Sequence, residues 1–203
     1  VENPRAEIER ALYNPIGTKK LSEIAKAGDK VAIVVNDSTR PTPSHLMLVP
    51  LLDELNKSGV NDSDVTVIFG CGIHRPVTPQ EQEKLIGKEA LQRVKTISHD
   101  ANAEDQVFVG ETSHETKVNL NKVFAEADIK VLTGEITLHY YAGYGGGRKG
   151  VLPAVASAET IQQNHSLLVS AKATTGVLEG NPVHEDMLEA ALSLIHISEP
   201  TRP

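Results

Sequence analysis

The segment from Ile136 to His165 carries the residue types best suited to chemistry in this sequence. It combines two histidines, a glycine run and a basic pair: His139, Gly143, Gly145, Gly146, Gly147, Arg148, Lys149 and His165. Glycines permit positive φ angles and a close approach of the backbone to a ligand. Successive backbone N–H groups that lead towards a helix can hold an anion. The stretch 145–148 therefore predicts a cradle for a phosphate-like group, with a lysine beside it.

Neither common phosphate-binding motif explains this glycine run. A P-loop needs glycine directly before the lysine and serine or threonine after it, whereas Arg148 precedes Lys149 and Gly150 follows it. The letters G-x-G-x-x-G occur at Gly145, Gly147 and Gly150, but the preceding apolar strand ends near Thr133 instead of leading directly into them. The generic motifs leave the ligand open.

The elements that must position these residues follow an alternating pattern. Short apolar runs at 30–36, 65–69 and 129–133 are typical of buried parallel strands. Helical spacing predicts helices at 4–12, 20–27, 43–57, 79–86 and 158–165, with another beginning at 185–191. The stretches 93–99 and 106–110 are weaker strand candidates, and 118–127 mixes strand and helix signals. This order predicts an α/β, Rossmann-like domain with a mostly parallel sheet flanked by helices.

Charged and titratable residues follow the ends of three predicted strands. Asp37, Thr39 and Arg40 follow the first, His74 and Arg75 follow the second, and His139 follows the third. Ligands of open α/β sheets bind at the carboxyl ends of the strands. Three separate loops are therefore predicted to deliver these groups to one place.

Bulk properties exclude several classes of protein. The formal net charge of −7 argues against a nucleic-acid partner. No apolar run approaches the ~18–20 residues of a membrane span, and no signal-peptide pattern is present. The single cysteine, Cys71, fits a reducing compartment, so the prediction is a cytoplasmic protein. We expect Cys71 to pack in a tight strand end, although a nucleophile beside His74 is an alternative, and we expect His99 to be solvated.

Taken together, DSTRP (37–41), GIHRP (72–76) and the series His139, Lys149, His165 resemble one family, the nickel-dependent lactate racemases that use a nickel-pincer nucleotide. The flanking stretches HYYAGYGGGRKGVLP, SAETIQQNH and NPIGTKKLSEIA agree with it. The resemblance covers residues 4 to 191 and implies the N-terminal, cofactor-bearing domain at 1–191, incomplete at both ends. It also implies that the family's C-terminal domain is absent, and we expect the fragment alone to be inactive.

The resemblance implies a role for each matching residue. Lys149 corresponds to the lysine that holds the pincer nucleotide through a thioamide bond, and His165 to the histidine that binds nickel. His74 and His139 correspond to paired acid/base catalysts. Arg40 corresponds to the arginine near the substrate carboxylate, and Asp37 to a carboxylate of the same pocket. The implied partners are a small 2-hydroxy acid and the proteins that make the cofactor.

Three readings of function remain open at this point. The first is a racemase or epimerase of 2-hydroxy acids that works by hydride transfer. The second is a nicotinamide-dependent 2-hydroxyacid oxidoreductase, and the third is a non-catalytic nucleotide-binding domain. The residues do not choose among lactate, other hydroxy acids and sugar acids.

The last residues of the chain have a different origin in our interpretation. The stretch 192–202 reads LSLIHISEPTR, which resembles the translation of a transposase adapter used in sequencing libraries. We therefore expect residues 192–203 to be translated adapter and assign no function to His196 or Arg202.

Overall fold

A four-stranded parallel sheet forms the centre of the structure, a computed structural model that describes residues 2–197. Its strands are β1 (Val31–Asn36), β2 (Val65–Gly70), β3 (Lys95–Ser98) and β6 (Ile129–Leu132), in the order β3-β2-β1-β6. All three pairings are parallel. The chain adds β2 and β3 on one side of β1 and β6 on the other, so the strand order reverses between β1 and β6.

Helices cover both faces of this sheet, which confirms the predicted α/β class. The described helices are α1 (Pro4–Tyr13), α2 (Leu21–Ile24), α3 (Ser44–Lys57), α4 (Pro79–Ile86), α5 (Lys88–Arg93), α6 (Lys122–Glu126), α7 (Ala158–Ser166) and α8 (Pro182–Ile197). Two hairpins complete the fold. One pairs β4 (Val107–Glu111) with β5 (Lys117–Leu120), and the other pairs β7 (Leu138–His139) with β8 (Gly143–Tyr144).

The core divides into two clusters because side chains alternate across a strand. Val31, Ile33 and Val35 of β1 pack against α3, α4 and α5, whereas Ala32 and Val34 pack on the side of α7 and α8. All five side chains are at most 2% exposed. Burial on both faces explains why β1 is a continuous apolar run instead of an alternating one.

The structure also resolves the ambiguous stretches. The mixed signals at 118–127 belong to two elements, since β5 ends at Leu120 and α6 begins at Lys122. Helix α5 follows α4 after Gly87, whose φ of +81° ends the first helix. None of the described helices is long and apolar enough to cross a membrane. Helix α8 extends through 192–197, and the remainder of the expected adapter stretch, 198–203, lies outside the described residues.

Candidate active site

One cavity of about 320 Å³ lies at the carboxyl ends of β1 and β2 and beneath the β7–β8 hairpin. Its position beside the reversal of strand order is where open α/β sheets bind ligands. The predicted residues that line it are Asp37, Thr39, Arg40, His74, His139, Lys149 and His165. Residues that are up to 128 positions apart in sequence (165 − 37) thus contribute to a single site.

Asp37 organises the loop that follows β1. Its carboxylate is buried, and its Oδ1 atom accepts hydrogen bonds from the Thr39 backbone N–H (3.0 Å) and from Thr39 Oγ1 (2.5 Å). Its Oδ2 atom lies 2.7 Å from Nδ1 of His74. Thr39 therefore orients Asp37, and Asp37 orients His74.

The contact with Asp37 decides which nitrogen His74 offers to a ligand. An ionised carboxylate only accepts hydrogen bonds, so the proton of the neutral imidazole lies on Nδ1. The other nitrogen, Nε2, is then the one with a lone pair. Nearly half of the His74 side chain is exposed, in the wall of the cavity. This carboxylate–imidazole arrangement is the one that fixes a general base in many hydrolases.

His139 has a different environment, on the short hairpin. The hairpin turns tightly because Gly143 has a φ of +76°, and a Cβ atom there would lie 2.1 Å from the carbonyl oxygen of Val177. Nδ1 of His139 accepts a hydrogen bond from the backbone N–H of Ala142 (3.2 Å). In the neutral ring the proton therefore lies on Nε2. Burial, followed by the positive charge of Lys149, lowers the pKa of His139 to about 4.

Lys149 lies on a 3₁₀ turn at Gly147–Gly150, and its side chain points into the cavity. Its Nζ atom is 3.4 Å from Nε2 of His139 and 5.9 Å from the ring centroid of Tyr141. Burial, and then the nearby guanidinium groups of Arg148 and Arg40, lower the pKa of Lys149 to about 8. The neutral fraction of this amine near physiological pH is consequently larger than that of an ordinary lysine.

His165 reaches the cavity from the last turn of α7. Ser157 caps this helix by accepting a hydrogen bond from the backbone N–H of Thr160 (3.0 Å), and buried Ile161 anchors the helix in the core. Nε2 of His165 lies 2.9 Å from the hydroxyl of Tyr141. Burial, followed by the charge of Lys149, lowers the pKa of His165.

Tyr141 is the main residue of the site that the sequence did not predict. Its ring packs edge-on against His139 and against His165, with centroid distances of 4.6 and 5.2 Å. Burial raises the pKa of its hydroxyl to about 12. An aromatic residue two positions after a candidate histidine is the only signal that the sequence contains, and by itself it names no role. Asn36, at the end of β1, also lines the cavity and was missed.

The glycine cradle is only partly realised. Gly145 and Gly146 line a small adjoining cleft of about 40 Å³ that shares Asn36, Arg40, His139 and Lys149 with the main cavity. The N–H of Gly145 is already bonded to the carbonyl of Thr137. Gly147 is exposed and lines neither space. The glycines 145, 147 and 150 follow hairpin strand β8 and enter a 3₁₀ turn, which is not the strand-to-helix context of a dinucleotide fingerprint.

Arg148, also predicted to bind the cofactor, is directed into the protein and lines neither space. Its Nη2 atom donates hydrogen bonds to the carbonyls of Ala142 (2.8 Å) and Tyr144 (3.1 Å). The guanidinium therefore fastens the β7–β8 hairpin to the turn that carries Lys149. Its charge still reaches the site, as the lowered pKa of Lys149 shows.

Three further side chains have structural positions. Arg75 forms a bidentate pair with Glu81, at 2.8 and 2.7 Å, on the surface. Cys71 is buried, as expected, and burial raises the pKa of its thiol to about 11, which disfavours the thiolate a nucleophile needs. The prediction that His99 is solvated is wrong: it is 1% exposed, and its Nε2 atom donates to the carbonyl of Ala156 (2.8 Å) because the loop before α7 covers it.

The charges around the cavity favour an anionic ligand. Arg40 and Lys149 line it, with Arg148 behind the hairpin, and Asp37 is the only carboxylate among its lining residues. Arginine suits a carboxylate or phosphate because its guanidinium can bond two oxygens at once. The Arg40 guanidinium already lies over its own loop, where Nη1 donates to the carbonyl of Thr39 (3.1 Å).

Comparisons with known proteins identify the family of this chain. Residues 1–176 match the model of the lactate racemase N-terminal domain family. The chain is 39% identical over 187 residues to a lactate racemase of Thermoanaerobacterium thermosaccharolyticum and 37% identical to one of Lactiplantibacillus plantarum. Each match covers 91% of this chain and 44% of the relative, so the chain spans less than half the length of these relatives.

Solved structures give the same result for the fold. The lactate racemase apoprotein of Thermoanaerobacterium thermosaccharolyticum superposes with a TM-score of 0.87 at 37% identity, over 95% of this chain and 46% of that one. A Thermotoga maritima protein superposes with a TM-score of 0.75 at 21% identity, over 96% of this chain and 48% of its own, and supports the fold alone. The sequence match over most of the chain shows that the protein belongs to the lactate racemase N-terminal domain family.

Proposed function

We propose that this chain is the cofactor-bearing part of a 2-hydroxyacid racemase or epimerase of the lactate racemase type. The observation that carries the proposal is the convergence of two histidines, one arginine and one lysine of lowered pKa on a cavity of about 320 Å³. Inverting a 2-hydroxy acid requires a group for the carboxylate and groups that move the hydroxyl proton. Arg40 suits the first task, and His74 and His139 suit the second.

The donor set fits a cofactor that brings most of its own metal ligands. Among the side chains that the structure describes, no group of three or more His, Cys, Asp or Glu could hold a metal ion. His165 offers one imidazole, a good nickel ligand, on the same cavity as the Lys149 amine. We therefore propose that Lys149 holds a nickel-pincer nucleotide covalently and that His165 supplies the protein ligand to nickel. Asp37, Thr39 and the glycines 145–147 remain candidate contacts of that nucleotide, and Arg148 supports the turn.

The bound cofactor would supply the acceptor for the C2 hydrogen, which leaves as a hydride so that no carbanion forms beside the carboxylate. The chain's own residues manage the proton. Nε2 of His74 takes the hydroxyl proton, and the carboxylate of Asp37 stabilises the resulting imidazolium. Arg40 holds the substrate carboxylate.

His139 is proposed to move the proton for the opposite enantiomer. In the structure its pKa is lowered by burial and by Lys149, so the ring is a poor base in this state. Once Lys149 is acylated its nitrogen carries no charge, and one cause of the lowered pKa disappears. Modification of Lys149 would thereby bring His139 closer to the pKa range in which imidazole both gives and takes a proton.

Intact-protein mass spectrometry with nickel analysis tests the cofactor site. The chain is co-expressed with the enzymes that make the pincer nucleotide, and we expect a covalent adduct that maps to Lys149 together with bound nickel. Lys149→Arg should abolish the adduct, and His165→Ala should lose nickel. Lys122→Arg and His45→Ala, outside the cavity, serve as matched controls. A well-folded chain without an adduct, both alone and extended by the C-terminal part of the Thermoanaerobacterium relative, contradicts the proposal.

The extended chain also separates an enzyme from a carrier. Racemisation of a 2-hydroxy acid should be lost in His74→Ala and in His139→Ala, while the Lys149 adduct and the nickel remain. A nucleotide-binding domain without catalysis would show no racemisation in any variant. Turnover that depends on added NAD would instead indicate the oxidoreductase.

A further inference from the structure

The side chains of Lys149 and His139 form a close pair that the proposed acid/base role does not explain. Nζ of Lys149 is 3.4 Å from Nε2 of His139. Two cations at this distance would repel each other, so the contact depends on which of the two nitrogens donates a hydrogen bond and which accepts it. A neighbouring backbone N–H group determines these roles.

The backbone N–H of Ala142 fixes the tautomer of His139. This N–H donates to Nδ1 at 3.2 Å, so Nδ1 must present a lone pair. The proton of the neutral ring is then on Nε2, the nitrogen that faces Lys149. An N–H that faces an ammonium group gives two donors and no acceptor, whereas an unprotonated amine has a lone pair that can accept.

We propose that the Ala142 N–H and the His139 ring together favour the unprotonated, nucleophilic form of the Lys149 amine, which makes Lys149 a preferred acylation or thioacylation site of the unmodified chain. This inference rests on the proposed function, because it explains how the lysine is made ready for a covalent cofactor. His139 accordingly acts as a positioning residue for Lys149 before it acts in catalysis.

The surrounding groups point the same way. Arg40 from the loop after β1 and Arg148 from the same turn both disfavour an ammonium on Lys149. His165 from α7 carries no negative charge in either protonation state, so it gives an ammonium on Lys149 no compensating charge. The Tyr141 hydroxyl, with its pKa raised to about 12, supplies no negative charge to stabilise an ammonium. Asp37, the only carboxylate that lines the cavity, is bonded to Thr39 and His74.

The covalent step is that of an amine with an activated acyl donor. Nζ forms a bond to the acyl carbon, the bond from that carbon to the leaving group breaks with its electron pair on the leaving group, and one N–H proton passes to solvent. An ammonium group has no lone pair and cannot begin this step. The rate at Lys149 therefore follows the fraction of neutral amine.

Competitive labelling of the chain with acetic anhydride across a pH series tests the inference. Peptide mass spectrometry gives the rate at Lys149 and at the solvent-exposed Lys122, each relative to its own maximum at high pH. We expect the Lys149 rate to reach half its maximum near pH 8, against about 10.4 for an ordinary lysine. A Lys149 midpoint equal to that of Lys122 overturns the proposal.

His139→Phe removes the ring nitrogens and keeps a planar ring. It should raise the Lys149 midpoint by about half to one pH unit, the size expected from one hydrogen bond. Replacement of the exposed His45 of α3, in His45→Phe, should not move it. An unchanged midpoint in His139→Phe overturns the role of His139. The ¹⁵N chemical shifts of the His139 ring in the unsubstituted chain give a measurement that needs no variant: a ring protonated on Nδ1 overturns the proposal, and one protonated on Nε2 supports it.

These results are distinguishable from a failure of the proposed function. An ordinary Lys149 midpoint with a normal cofactor adduct would refute only the activation by His139. A lowered midpoint without any adduct after co-expression would leave Lys149 an activated amine and refute the cofactor site.

Discussion

The two candidate catalytic histidines line the same cavity but are held in opposite ways. His74 bonds through Nδ1 to the buried carboxylate of Asp37, and His139 bonds through Nδ1 to the backbone N–H of Ala142. The first contact places the imidazole proton on Nδ1, and the second places it on Nε2. One ring therefore offers the cavity a lone pair, while the other offers a proton to Lys149. The difference shows that residue type alone does not determine an acid/base role.

The largest expected effect on turnover comes from removing the charge of Asp37, the carboxylate that distinguishes the surroundings of His74 from those of His139. Asp37→Asn keeps the size of the side chain but removes the charge that stabilises an imidazolium on His74. In the chain extended by the C-terminal part of its relative, we expect turnover to fall by about 10²- to 10⁴-fold, the range for orienting carboxylates and general bases. The adduct at Lys149, measured by mass spectrometry, should persist. Turnover within a factor of three of the unsubstituted protein would show that His74 does not need Asp37.

His139 can be tested through stability against pH. Its pKa of about 4 in the folded chain lies below the ordinary 6.5, so the unfolded chain binds more protons between these values. The contribution of the His139 ring to the free energy of unfolding is therefore fully present above about pH 6.5, and it is lost as the pH falls towards 4. The free energy of unfolding from urea titrations should be lower at pH 4.5 than at pH 7. After allowance for partial exposure, we expect this difference to be about 1–2 kcal/mol smaller in His139→Phe.

A second histidine variant serves as the control for this acid destabilisation. His45→Phe replaces an exposed histidine outside the cavity and should keep the pH dependence of the unsubstituted chain. If His139→Phe keeps it as well, the ring is not buried neutral as the structure indicates.

The contact between Tyr141 and His165 should give a smaller effect on stability. Tyr141→Phe deletes the hydroxyl that lies 2.9 Å from Nε2 of His165 and leaves the ring packing in place. We expect a loss of about 0.5–1.5 kcal/mol in the free energy of unfolding, the usual net value of one hydrogen bond. Tyr13→Phe is the matched control and should change little, because the Tyr13 side chain is 64% exposed and lies outside the cavity. Equal effects of the two substitutions would remove Tyr141 as a support of His165.

The smallest expected change concerns Cys71, which is near His74 in sequence but has no part in its proposed proton transfer. Because burial raises the pKa of the thiol to about 11, alkylation by iodoacetamide at pH 8 should be slow in the folded chain and rapid in 8 M urea. Cys71→Ala should leave cofactor loading unchanged. Rapid alkylation of the folded protein would reopen the reading of Cys71 as a nucleophile.

Much of the sheet could be predicted because a strand that is buried on both faces appears in the sequence as a continuous apolar run. The apolar runs at 30–36, 65–69 and 129–133 match β1, β2 and β6 to within one residue at each end. The capping box at Thr78 and Glu81 likewise marks the start of α4, where both reciprocal hydrogen bonds form. The short hairpin of β7 and β8 was missed, since a pair of two-residue strands has no periodicity to detect.

The sequence by itself determined which residues meet, because parallel strands deliver the loops at their carboxyl ends to one edge of the sheet. It placed Asp37, Arg40, His74 and His139 there, and it supplied the family resemblance for Lys149 and His165. Only the tertiary structure decided what each group does there. Tautomers and pKa values depend on contacts between distant segments, such as Asp37 with His74 and Lys149 with His139. Arg148 shows the same limit, since a residue inside a recognisable motif is turned by packing to brace the hairpin instead of lining the cavity.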